Sequence, residues 1–186
     1  MGFSLHVEHR RQRSGIVDIV VAATVLAATL LVMMASSPPA RAAIPAYLPG
    51  VPAGTVVVRQ AERRLYLTLD DAGVAVSYPV AVGKAGKQWH GTVQVDGKYV
   101  NPAWAPPREV KRAEPWLPAY IPGGAPNNPM GHRALTLSGG QYAIHGTNRP
   151  WTVGTAASFG CIRMREADIE DLFERVSVGT PVMMTR

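Results

Sequence analysis

Ile144-His-Gly-Thr-Asn-Arg-Pro150 and Ser158-Phe-Gly-Cys-Ile-Arg-Met164 decide how this chain is read, because they hold its only cysteine, Cys161, and a histidine sixteen positions before it, His145. The thiolate is the reactive form of cysteine. A nearby imidazole lowers a thiol pKa into a range of about 3.5–7.5, so the pair supplies a nucleophile and its base. The intervening Gly146, Asn148, Pro150 and Gly154 are turn formers that let the chain fold back on itself. Spacing alone does not join a histidine to a cysteine. An arbitrary single cysteine is more often a small buried hydrophobe, whereas a free thiol in an oxidising compartment is exposed to over-oxidation, so its presence there hints at use.

Outward from these stretches, the pattern is mostly of strands. Thr55–Arg59 and Arg64–Leu69 are β-branched or alternating runs, and Asp70-Asp-Ala-Gly73 is a turn into the run 74–82. Thr92–Val95 before Asp96-Gly97 repeats the strand-and-turn pattern. Ala134–Leu137 and Tyr142–His145 flank Ser138-Gly-Gly140 as a hairpin, with His145 at a strand end. Residues 101–131 differ: eight of these 31 residues are proline, with Trp104, Trp116, Leu117 and Tyr120 as apolar anchors. Loops longer than about 12–15 residues in a compact domain are usually functional or disordered, which makes this stretch a candidate flap. Ile169, Leu172, Phe173 and Val176 fall at i, i+3, i+4 and i+7, the helical signal of the chain, before Gly179 and a last strand over 180–184. The expected fold is mainly β, with one short helix after Cys161 and a long Pro-rich flap.

The length of 186 residues suits one domain plus a targeting or anchoring segment. Residues 1–42 carry a basic start (Arg10, Arg11, Arg13), an apolar run over 16–35 and Ala40-Arg-Ala42, the small-x-small pattern of a signal-peptidase site. They read as a signal peptide or, because the run approaches spanning length, an N-terminal membrane anchor. Residues 43–54, rich in Pro and Gly, read as a linker, and 55–186 as the catalytic domain. Export to the periplasm or cell envelope is the expectation. The net charge of +6 falls to +4 beyond residue 42, where 15 Lys/Arg face 11 Asp/Glu. Such a balance favours an anionic partner. No basic run interleaved with aromatics is present, which argues against nucleic acid, and one cysteine allows no internal disulfide.

The string His-Gly-Thr-Asn-x-Pro, then Ser-x-Gly-Cys-Ile-Arg-Met, resembles the signature of the YkuD-type L,D-transpeptidases. The likeness continues upstream through Arg64-Leu-Tyr66, Tyr78–Lys84, Asn101-Pro-Ala-Trp104 and Asn128-Pro-Met-Gly131. It covers residues 55 to 185. The resemblance implies a β-sandwich catalytic domain acting on peptidoglycan stem peptides without a cofactor. In that family a cysteine takes the acyl group of the third stem residue, D-alanine leaves, and an amine resolves the thioester. The acceptor is a neighbouring stem or, in some members, a lysine of an outer-membrane lipoprotein; water as acceptor would make the enzyme a carboxypeptidase.

Carried onto matching positions, Cys161 is the nucleophile and His145 the general base and acid. The N–H groups of Gly160 and Cys161 are the natural oxyanion donors, because Gly160 has no side chain to obstruct a carbonyl. Arg163 is expected to grip a substrate carboxylate, and Ser158 and Gly146 are expected beside the substrate, with turn-bracing as the other role open to Ser158. A backbone carbonyl near the His145–Gly146 step is expected to orient the imidazole. Phe159 stands where many relatives have histidine, so His145 is the only base the motif offers; a non-catalytic wall-binding scaffold is the competing view. Trp89-His90-Gly91-Thr92 departs from the turn common in relatives. His90 and His132 are expected in solvated loops, Asp168 in helix-start electrostatics or on an exposed face, and no metal set is expected from histidine spacing.

Overall fold

The computed structural model describes residues 43–140 and 142–186; residues 1–42, with the expected export segment, lie outside them. Among the described residues no helix is long and apolar enough to cross a membrane. The strands are β1 (Ile44–Tyr47), β2 (Val56–Arg59), β3 (Arg64–Thr68), β4 (Val74–Pro79), β5 (Val82–Gly83), β6 (Gly91–Val100), β7 (Arg133–Leu137), β8 (Ala143–His145), β9 (Ala156–Ser158), β10 (Ile162–Arg163) and β11 (Pro181–Thr185). Among the described residues two α-helices, α1 (Arg108–Ala113) and α2 (Glu166–Arg175), and a 3-10 turn over Pro150–Thr152 join them. Nine strands form one sheet in the order β1-β4-β3-β2-β11-β6-β7-β8-β10, and β5 pairs with β9.

The alternation read in Arg64–Thr68 is realised as Leu65 and Leu67 turned inward, at 0% and 2% exposure, because successive strand side chains face opposite sides. β6 is where the sheet changes partner: residues 91–94 pair with β11 and residues 95–100 with β7, with a bulge between Val95 and Gly97. Asp96-Gly97, expected as a turn, is this bulge. Bulges bend a strand and sharpen its twist, so the two ends of the sheet close on a single core containing Val56, Leu65 and Tyr78 from one half and Leu135, Ile144 and Ile162 from the other. α2 seals that core with Ile169, Leu172 and Phe173, and Val176 does so just past its end; full burial of each such side chain contributes about 1.5–3 kcal/mol.

Residues 43–54 are not a free linker. β1 pairs antiparallel with β4, Ile44 opposite Ser77, and Leu48 is buried beside Val57 and Ala75. Pro45 is tolerated because β1 is an edge strand, where one ladder N–H is dispensable. The flap is ordered by pairing of its two ends: Trp104 and Ile121 exchange backbone hydrogen bonds of 2.9 and 2.7 Å, and Asn128 Nδ2 donates to the carbonyls of Pro102 and Pro122. It also carries α1, whose Arg-Glu-Val-Lys-Arg-Ala sequence buries no residue and so offered no apolar periodicity.

Candidate active site

β8 ends at His145 and β10 begins just after Cys161, and the two strands pair in parallel with Ile162 opposite Ile144 and Arg163 opposite His145. Strand alternation then turns His145, Arg163 and Cys161 to one side. All three line one cleft of about 510 Å³ whose opposite wall is the flap, through Trp104, Leu117, Ile121 and Met130. Trp116, expected as an anchor or wall, is 76% exposed and does neither. Phe159 lines the cleft, with Lys84 Nζ 3.7 Å from its ring centre.

The His145 ring is buried, and its Nδ1 lies 2.6 Å from the Gly146 carbonyl oxygen. A carbonyl only accepts, so Nδ1 carries the proton and Nε2 keeps a lone pair. Burial, followed by the Arg163 charge, pushes the imidazole pKa down to about 4, while the carbonyls of Gly146, Met130 and Pro129 pull it back. Burial pushes the Cys161 thiol up, with the Ala143 backbone and Arg163 acting against it. Both shifts run toward the uncharged forms. Burial disfavours the charged form of each group, the imidazolium of His145 and the thiolate of Cys161.

The turn before Cys161 is fixed at every polar atom of Ser158 and Gly160 that faces it. Ser158, 1% exposed, donates from Oγ to the Cys161 carbonyl at 2.6 Å and accepts the Gly160 N–H at 3.0 Å. The Gly160 N–H is taken up by the Ser158 hydroxyl, and of the two roles open to Ser158 the turn-bracing one is seen here, in a residue that also lines the cleft. Gly160 is required for conformation: its φ is +121°, and a Cβ there would overlap the Tyr142 ring. Trp89 stacks on Tyr142 with centroids 5.1 Å apart and donates from Nε1 to the Gly160 carbonyl at 3.0 Å. Nothing in the sequence near Cys161 announced this clamp, although the unusual Trp89-His90 turn marked its position.

Gly146, unlike its neighbours His145 and Thr147, is not among the residues that line the cleft. Its carbonyl orients His145, its N–H donates to the Arg133 carbonyl at 3.0 Å, and it has no room for a Cβ beside the Glu166 carboxylate. Asn148 was read only as a loop residue, yet it lines the cleft with a buried Oδ1 that has no protein hydrogen-bond partner. Buried acceptors are nearly always paired, so this atom is suited to a substrate N–H. His132 is exposed, as expected, and His90 Nδ1 lies 3.3 Å from Gln60 Nε2 outside the cleft. Asp168 lies in the first turn of α2 but is 4% exposed, so the exposed-face alternative does not hold. Among the described residues one set, His132, Glu166 and Glu170, brings potential metal-ligating atoms within 4.8 Å of one another.

Comparison with known proteins agrees with this architecture. The chain is 41% identical over 135 residues to the probable L,D-transpeptidase YbiS of Escherichia coli K12, a match covering 68% of this chain and 43% of that protein. It is 36% identical over 144 residues to the putative L,D-transpeptidase YqjB of Bacillus subtilis, covering 74% and 73% of the two chains. The chain thus spans less than half the length of the E. coli relative it matches. A solved L,D-transpeptidase from Mycobacterium smegmatis shares the fold with a TM-score of 0.55 at 19% identity, covering 71% of this chain and 58% of that one. With the family model for the L,D-transpeptidase catalytic domain matching residues 53–184, the chain belongs to the YkuD family.

Proposed function

We propose that this domain is an L,D-transpeptidase of peptidoglycan in the cell envelope, working through a Cys161 thioester. The observation that carries the proposal is the locked tautomer of His145, which leaves Nε2 as a base in the cleft shared with Cys161. As Sγ attacks the carbonyl of the third stem residue, Nε2 takes the thiol proton, so charge develops only as the bond forms. The Cys161 N–H receives the oxyanion, since its Gly160 neighbour is committed to Ser158. The imidazolium then protonates the leaving D-alanine amine, and the thioester remains. An entering amine gives its proton to Nε2, attacks the thioester carbonyl and releases the thiol, forming a stem-to-stem link. Arg163 receives a stem carboxylate, and Asn148 Oδ1 a stem N–H. Residues 1–42 bring the domain to the envelope as a cleaved signal or as an anchor.

Purified tetrapeptide muropeptides incubated with wild type and with Cys161→Ala, read by mass spectrometry, test this. Cross-linked dimers and free D-alanine in the wild type alone are expected. Tripeptides without dimers would assign the acyl group to water, and transfer to an added lysine peptide would favour a lipoprotein acceptor. A wild type that releases no D-alanine would reject the proposal in favour of a wall-binding scaffold.

A further inference from the structure

Two backbone segments present carbonyls to the His145 ring: residue 146, and residues 129 and 130 at the end of the flap. The chain just beyond each segment donates an N–H to one and the same side chain. Thr147 N–H donates to Glu166 Oε1 at 2.6 Å, and His132 N–H donates to Glu166 Oε2 at 2.8 Å. Gly131 and Gly146 flank the carboxylate so closely that a Cβ at either position would overlap it. The Thr147 N–H and the Gly146 carbonyl belong to one planar peptide unit, with donor and acceptor on opposite edges. One edge of that plane is gripped by Glu166, and the other holds His145 Nδ1 at 2.6 Å. The plane cannot rotate without breaking both bonds. A charge-assisted bond to the N–H also polarises the unit and strengthens its carbonyl as an acceptor.

We propose that Glu166 is a positioning residue for this domain's chemistry: through one peptide plane and the flap end, its carboxylate sets the tautomer and orientation of the His145 imidazole. The inference deepens the transpeptidase proposal and rests on it for its effect on turnover, but its structural part is readable without any substrate. Both oxygens of Glu166 are occupied by backbone amides, so its position beside His132 and Glu170 is accounted for without a cation. A glutamine here has one acceptor oxygen and an amide that donates, so it can serve only one of the two N–H groups.

The test is ring nitrogen NMR of His145 in the full chain, together with steady-state kinetics on tetrapeptide muropeptides and thermal melting, for Glu166→Gln, Glu166→Ala and Glu170→Ala. Glu170 lies on the same helix and has no bond to either amide, with a single 3.5 Å approach to His132. In wild type and Glu170→Ala the ring is expected as one Nδ1–H species. Both Glu166 variants should show a mixture containing Nε2–H, with kcat lower by about tenfold and KM within about twofold. If Glu166→Ala does not fold, Glu166→Gln is read alone by the same criteria. A single Nδ1–H species in a folded Glu166 variant overturns the proposal, as does an equal loss of kcat in Glu170→Ala. Absence of turnover in the wild type would reject the transpeptidase reading and leave the NMR outcome to decide the positioning role.

Discussion

Lowering the pH from 7 to 4 should destabilise this domain through His145 in particular. The ring is 4% exposed, and burial followed by the Arg163 charge lowers its pKa from 6.5 to about 4. In the unfolded chain the same ring titrates near its ordinary value. Between those two values the unfolded state holds a proton that the native state does not, so stability rises with pH across the window and is lost on acidification through it. At about 1.36 kcal/mol per pH unit, the gap between 6.5 and about 4 amounts to roughly 3 kcal/mol. That is a large part of the 5–15 kcal/mol typical of a domain, about a third at mid-range. Urea unfolding of wild type and His145→Gln at stepped pH isolates the effect, because the carboxylates that also titrate are common to both. The stability of wild type relative to the variant should fall by roughly 3 kcal/mol between pH 7 and pH 4, most of it below pH 6.5. A difference that stays flat across that range would refute the account of a ring buried neutral.

The thiol follows the same electrostatics with the opposite sign. Since burial raises the Cys161 pKa, iodoacetamide should modify it more slowly at pH 7 than a free thiol such as glutathione, with a rate that climbs only above the ordinary thiol range, about pH 8.5. His145→Ala should leave the neutral-pH rate within about twofold; fast labelling at pH 6 that disappears in this variant would restore the preformed ion pair. Gly160→Ala combines a left-handed φ with overlap of the Tyr142 ring. It should cost about 1–3 kcal/mol for the backbone alone and abolish acyl-enzyme formation by mass spectrometry, and adding Tyr142→Ala should recover only part of the stability. Full recovery would mean that crowding, and not backbone conformation, is what the glycine relieves.

What could be read beforehand was whatever repeats locally. The period-2 pattern of Arg64–Thr68 and the i, i+3, i+4, i+7 set of α2 gave those elements to within a residue or two, and the Ser138–Gly140 turn gave the hairpin that presents His145. Cys161 and His145 stood out by residue type, and strand pairing brings them to one cleft. Non-local features left no such trace. The parallel pairing of β8 with the two-residue β10 has no sequence period, and the pairing of β1 was masked by its proline. The partners of Gly160, Ser158 and Gly146 were not legible because hydrogen bonding depends on which atom of a motif faces which neighbour. Glycine and serine satisfy a motif equally well whether they meet substrate or brace a turn.

β11 occupies the middle of the nine-stranded sheet, parallel to β2 and antiparallel to β6, although it follows all the other described strands in sequence. During synthesis, β2 and β6 must therefore wait with open edges until residues 181–185 emerge. Joining them requires closure of a loop longer than a hundred residues, the kind of non-local pairing that slows folding and leaves unpaired backbone open to other chains. Clipping or mutating this segment would split the sheet at its centre, separating the half that carries His145 from the half that carries β2 to β4.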